Sequence, residues 1–309
     1  MDSVVFVPSV ASTEWLSGLF PDYSLAELPV AGRRIVDYGL EVAQKSGAML
    51  VEVLDWHYTK RLEDYFNDPT RTGSAVFYCR GEGDLPRGLD DLAGQPSSPL
   101  TQSLSDGLVV AWGPCLALKL EECGAEEVSA ADRAETPLGV YRRAGGGWER
   151  LKAPTRQVDS LRSWHRMNFE VLHDPGEFTL PGYSAESGVY LGRNVIIEHG
   201  SEVKAPVLLN DNTWFARNVT LDGDVVVDSG SFVSEGARLR RTLVCRDTFI
   251  GEGLDFDGKI IVGRRVIDPE TGSWVDLEDP GLARSIPIGL DWMRSIWHFL
   301  RGRSFGRRG

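Results

Sequence analysis

A histidine at a tight turn is the first residue here whose type could do chemistry. His199 precedes Gly200 inside a run of regularly spaced apolar residues. An imidazole at such a corner can accept a proton from a nucleophile near neutral pH, the work of a general base in acyl transfer. It can equally be a solvated turn residue. Trp214 and Arg217 come one repeat turn later. An indole there can stack on a ligand, or it can pack against neighbouring protein. The four cysteines (Cys79, Cys115, Cys123, Cys245) form no C-x-x-C pair and have no matching histidine spacing. They are expected to be reduced thiols serving as small apolar side chains, with no metal site.

These candidates depend on the elements that hold them. Stepping by six from Leu191 reaches Ile197, Val203, Leu209, Phe215, Leu221, Val227, Val233, Leu239 and Cys245, all apolar. Two residues before each step the side chains are small or β-branched, as at Val195, Val207, Thr213, Val219 and Val225. Three residues after it come turn formers, among them Asn194, Gly200, Asn212, Asn218, Asp224, Gly230 and Gly236. Neither a 3.6-residue nor a two-residue period makes this pattern. Six residues fit a short strand and a corner, and three such units close one turn of a parallel β-helix. The apolar residue points inward and the corner residue tolerates positive φ. Stacked coils then bury one another's inner faces. An antiparallel sandwich is the alternative, but its turns usually recur every 8–12 residues or so.

The first half alternates element types. Ser3–Pro8 reads as a strand, Arg33–Ser46 as a helix closed by Gly47, and Ala48–Leu54 as a second strand. Thr59–Phe66 reads as a helix, and Ala75–Cys79 and Leu108–Trp112 as further strands. Residues 81–107 read as surface loop, and the glycines after Ala144 as a hairpin turn. Strand–helix–strand order predicts an α/β layer around a parallel sheet.

Leu28-Pro29-Val30-Ala31-Gly32-Arg33-Arg34-Ile35-Val36-Asp37-Tyr38-Gly39-Leu40-Glu41 resembles a signature segment of sugar-1-phosphate nucleotidyltransferases, the NDP-sugar pyrophosphorylases. Trp164-His165-Arg166-Met167-Asn168-Phe169-Glu170, then Leu180-Pro181-Gly182 and Gly188-Val189-Tyr190-Leu191, resemble the mannose-1-phosphate guanylyltransferase-like members. The resemblance implies a reduced, Rossmann-like nucleotidyltransferase domain over 1–160. A left-handed parallel β-helix of hexapeptide repeats is expected over 161–283. It makes Gly32 and Arg33 candidate ligand contacts, with Trp214 and Arg217 beside them. An intact member would join a sugar-1-phosphate to a nucleotide with Mg²⁺ and release pyrophosphate.

Three departures weigh against that activity. The family's glycine-rich phosphate loop, with its arginine, is replaced by Pro8-Ser9-Val10-Ala11-Ser12-Thr13-Glu14-Trp15. Leu25 stands where the family has a lysine, and Pro114 where it has a metal-binding aspartate. Loss of one phosphate donor commonly costs about 3 kcal/mol of transition-state stabilisation. Loss of loop, lysine and carboxylate together predicts a degenerate domain with no catalytic residue and no metal ligand. Mg²⁺ is expected only if turnover survives. The alternatives are an active nucleotidyltransferase with an unusual phosphate loop, and a hexapeptide acyltransferase using acyl-CoA with His199 as base. A pure interaction scaffold is the third.

Charge divides the chain. The net charge of −12 excludes general nucleic-acid binding. From Arg284 onward there are six arginines and one acid, so this tail is +5 and the rest −17. Within the tail, Leu290, Met293, Ile296, Trp297 and Leu300 make a helical apolar stripe. That predicts a basic amphipathic helix over 284–309, packing on the β-helix, joining copies of the chain, or lying on a membrane surface. It is too short to span a bilayer. With no secretory leader legible, the expected place is the cytoplasm, with the tail at most peripheral to a membrane. A sugar nucleotide and further copies of the chain are the expected partners.

Overall fold

The computed structural model describes residues 3–8, 14–20, 23–68, 75–93, 95–102, 104–117 and 123–286. They belong to two compact units, 1–179 and 180–309.

The first unit is a mixed α/β layer. Its sheet strands are β1 (Ser3–Val7), β2 (Leu50–Asp55), β3 (Ala75–Arg80), β4 (Val109–Trp112), β5 (Ala125–Glu127), β6 (Gly139–Ala144) and β7 (Gly147–Leu151). Their order across the sheet is β3-β2-β1-β4-β6-β7-β5. The first four are parallel and the rest antiparallel. This sheet is compatible with a Rossmann-like nucleotidyltransferase domain.

The predicted elements form for local reasons. Helix α1 (Ile35–Lys45) buries Val36, Leu40 and Ala43 against the sheet, and stops at Gly47 with φ of +77°. Helix α2 (Lys60–Phe66) starts at Thr59, whose hydroxyl accepts the Leu62 N–H. Strands β6 and β7 join through Gly145 and Gly146, both at positive φ, as a two-residue hairpin loop requires. Residues 81–107 depart from the surface-loop expectation. Leu89 and Leu92 are fully buried and pack with Val5, Leu54 and Trp112 under the sheet. Polar and glycine-rich neighbours masked these two anchors in the sequence.

Helix α3 (Leu161–His173) belongs to the first unit. Ser160 caps it by accepting the Ser163 N–H. The second unit begins just after it, at Leu180.

The second unit is built from many short strands in three sheets. Parallel partners recur every turn: Val189, Val207 and Val225 align in one sheet. Ile196, Trp214, Phe232 and Phe249 align in the next, and Val203 with Leu221 and Leu239 in the third. Leu209, Phe215, Leu221, Val227, Val233 and Leu239 meet in one buried interior. The arrangement is compatible with the β-helix expected from the repeat. Corners at Asn194, Asn212, Asn218, Asp224, Gly200, Gly230 and Gly236 have positive φ.

One step corrects the sequence register. Val225 pairs with Thr242, one residue earlier than the preceding spacing would place it. The corner Gly223–Asp224 is shortened to Arg241 at φ +46°. Val244, not Cys245, therefore joins the apolar interior, and Thr242 lies in a strand rather than a corner. Beyond it, Ile260–Val262, Arg265–Ile267 and Trp274–Asp276 form an antiparallel meander. Ala283–Ser285 then returns antiparallel to Thr248–Ile250.

Candidate functional site

Topology marks one place in the first unit. In open α/β sheets, ligands bind beyond the carboxyl ends of parallel strands, where the strand order reverses. Here that point lies between β1 and β4. A small pocket, open to solvent, occupies it. Phe6 and Pro8 line it from β1, and Gly113 and Pro114 from beyond β4. Ala26, Ile35, Val36 and Gly39 form the other wall. Among the described residues that line it, no side chain is charged or can donate a hydrogen bond.

One of the sequence departures, Pro114, is in the wall of this pocket. Leu25 is buried in the short helical turn Leu25–Glu27, next in the chain to the lining Ala26. Most of the replaced phosphate loop, residues 9–13, lies outside the described residues. The pocket also owes its form to helix α1 passing close to β1. A Cβ on Gly39 would stand 2.5 Å from the Phe6 ring.

The polar groups near these strand ends are spent on one another. Asp55 ends β2 and is fully buried. Its carboxylate accepts the Ser24 hydroxyl, the Tyr78 hydroxyl at 3.1 Å and the His57 N–H at 2.9 Å. Glu27 is also buried, and accepts from Arg61 Nη2 at 2.9 Å, Thr59 Oγ1 at 3.1 Å and the Ser24 N–H at 3.2 Å. The Arg61 guanidinium also covers the Tyr23 ring. Proximity to Asp55 and burial push the Tyr78 hydroxyl well above its ordinary range, burial being the larger cause. Both carboxylates are thus held by internal donors. An acid closing an apolar strand is the one signal of this cluster in the sequence, but the side chains that bond Asp55, Ser24 and Tyr78, are 31 and 23 residues away.

Gly32 and Arg33 occupy a turn beside the pocket wall. Ala31 and Gly32 both take positive φ between the paired strands Pro29–Val30 and Arg33–Arg34. The Arg33 guanidinium bonds Glu41 at 2.7 Å and the Thr179 carbonyl, and lies over the Tyr38 ring. Burial raises Glu41, but hydrogen bonds from Lys45, Thr179 and Arg33 outweigh it and hold the carboxyl at about 2. Helix α3 grips the same turn from the other side. Trp164 Nε1 donates to the Pro29 carbonyl at 2.6 Å, and Asn168 Oδ1 accepts the Ala31 N–H at 2.7 Å. The two stretches that carry the family resemblance are therefore bonded to each other.

The candidates of the second unit are spread over its surface. His199 is exposed, and its carbonyl accepts the Asn218 N–H. Trp214 is half-buried, packs on Phe232 and donates Nε1–H to Glu198 at 2.9 Å. Arg217 is exposed and pairs with Glu235 at 3.4 Å. Among the described residues, no group of three or more His, Cys, Asp or Glu could hold a metal ion. Cys79 is half-buried and free, and burial pushes its thiol up to about 12, which leaves no nucleophilic thiolate near neutral pH. Among the described residues, no helix is long and apolar enough to cross a membrane. The expected amphipathic stripe, 290–300, lies outside the described residues.

No protein-family model matches the chain. Over 131 residues it is 22% identical to the UTP–glucose-1-phosphate uridylyltransferase of Synechocystis sp. (strain ATCC 27184 / PCC 6803 / Kazusa). The match covers 42% of this chain and 31% of that protein, so the chain spans about a third of the relative's length. It supports a distant relationship to sugar-1-phosphate nucleotidyltransferases.

Proposed function

We propose that this chain is a nucleotidyltransferase-related protein of sugar-nucleotide or polysaccharide metabolism that has lost nucleotidyl transfer and acts in binding, assembly or regulation. In this reading, the first unit is a reduced Rossmann-like domain and the second a left-handed parallel β-helix. Mg²⁺ has a part only if turnover survives, and the partners are a sugar nucleotide and further copies of the chain.

The observation that carries the reading is the apolar wall of the switch-point pocket. Nucleotidyl transfer concentrates negative charge on phosphoryl oxygens and needs cations and fixed donors aimed at them. Leu25, Pro114 and Phe6 offer none.

The test is pyrophosphate release by the purified chain from each nucleoside triphosphate with Mg²⁺ and glucose-1-phosphate. The expected result is no release above the protein-free rate. Mg²⁺-dependent turnover would restore the alternative of an active enzyme with an unusual phosphate loop. A parallel thermal-shift series reads binding without turnover, because a ligand that prefers the folded state raises Tm. Acetyl-CoA turnover lost in His199→Ala would instead support the acyltransferase alternative.

A further inference from the structure

The second unit carries an outward aromatic ridge. Ile196, Trp214, Phe232 and Phe249 are in register on successive strands. Their chain neighbours Phe215, Val233 and Ile250 fill the interior, so strand alternation turns the ridge to the outside. Trp214 and Phe232 centroids are 5.7 Å apart, and Phe232 stacks on Phe249 at 5.6 Å. Beside the ridge runs a row of small residues, Ala216, Ser234 and Gly251, the last of them already covered by the backbone of Gly281 and Leu282. Ridge and row together make a groove.

The groove is covered at one end and open at the other. Phe232 and Phe249 are only 2% and 3% exposed although they face outward, whereas Ile196 is 45% exposed. Ile286 lies on the covered end, in one cluster with Phe232 and Phe249, and its N–H donates to the Asp247 carbonyl. The described chain ends at this residue.

We propose that the groove is the dock for this chain's own segment 290–300. Continuity chooses this occupant, because the segment follows within four residues of Ile286, which sits at the covered end. Its pattern fits as well. Leu290, Met293, Ile296, Trp297 and Leu300 would share one face of a helix, and the small Ala216 beside Trp214 leaves room for large side chains at the open end. The arginines after the stripe would then come to the end where Glu198 holds the Trp214 indole.

Hydrogen exchange on the intact chain, followed by mass spectrometry, tests this. Amides of 290–300 should exchange at least about tenfold slower than in the isolated peptide. Ala216→Arg, a change at a half-buried outward position, should return them to the peptide rate while amides of 214–250 keep their protection. Peptide-like exchange in the unmodified chain would overturn the proposal. So would slowing that survives Ala216→Arg. Slowing that appears only as protein concentration rises would assign the groove to a second copy. Slowing that appears only with anionic phospholipid vesicles would assign the stripe to a lipid surface.

Discussion

Gly39 of helix α1 faces the ring of Phe6 on β1, with no room for a methyl group between them: a Cβ would come within 2.5 Å of Phe6 Cε1 and 2.7 Å of Cζ. The pair sets the floor of the switch-point pocket. Gly39→Ala should gain about 1 kcal/mol of helix propensity and lose more to overpacking, for a net loss of about 1–2 kcal/mol. Phe6→Leu in the same chain should recover most of it. A urea-denaturation double-mutant cycle gives the coupling, and simple additivity would show that the two groups do not clash.

Glu52 lies in the middle of β2, fully buried. One oxygen accepts the Leu100 N–H at 3.1 Å, and the other has no hydrogen-bond partner. Burial raises its carboxyl above the usual glutamate range. A raised acid favours the protonated fold. Its contribution is complete below the ordinary value of 4.5 and is lost as pH rises through the folded value. Glu52→Gln keeps the shape and cannot ionise. Its Tm should match that of the parent near pH 4 and exceed it at pH 8. A parallel pair of Tm curves across that range would remove the assignment.

Glu41 has the opposite sign. Held at about 2, its carboxylate stabilises the fold above the ordinary value of 4.5, and that contribution fades as pH falls toward 2. Glu41→Gln should cost about 2 kcal/mol at pH 7, after allowance for solvent screening, and close to nothing at pH 2. Guanidinium midpoints at the two pH values check it. An equal loss at both would mean that shape, not charge, is what Glu41 supplies.

Asn168→Ala leaves the buried Ala31 N–H without its acceptor. An unpaired buried donor costs about 1–3 kcal/mol. The loss should appear in equilibrium unfolding, and the Ala31 amide should exchange faster than its neighbours on α1. Asn168→Asp keeps an acceptor oxygen and should hold the Ala31 amide better than Asn168→Ala does. Identical exchange in both variants would show that the bond does not hold the turn.

Much of the architecture could be read from residue order because it is local. Periodicity located α1 and the strands beside it, and paired glycines located the hairpin after Ala144. The six-residue step located the corners as far as Leu239. The same step then failed because one corner lost a residue while Leu243, Val244 and Cys245 are all apolar, so both registers look alike in sequence. Leu89 and Leu92 were hidden by their polar neighbours. The Asp55 and Glu27 network could not be seen in advance, since Ser24, Thr59, Arg61 and Tyr78 reach it only through tertiary folding. For the pocket, the substitutions at Leu25 and Pro114 were legible, but the packing of Phe6 against Gly39 was not.

The turn-by-turn pairing of the second unit gives it the properties of a ruler. Each turn bonds only to the turns before and after it, so gain or loss of one whole turn leaves every other contact type unchanged. Such an event shifts the spacing between the unit's two ends by one strand separation, about 4.8 Å. The distance between whatever binds at either end can therefore be lengthened in evolution, or by design, in fixed increments without redesigning the interior.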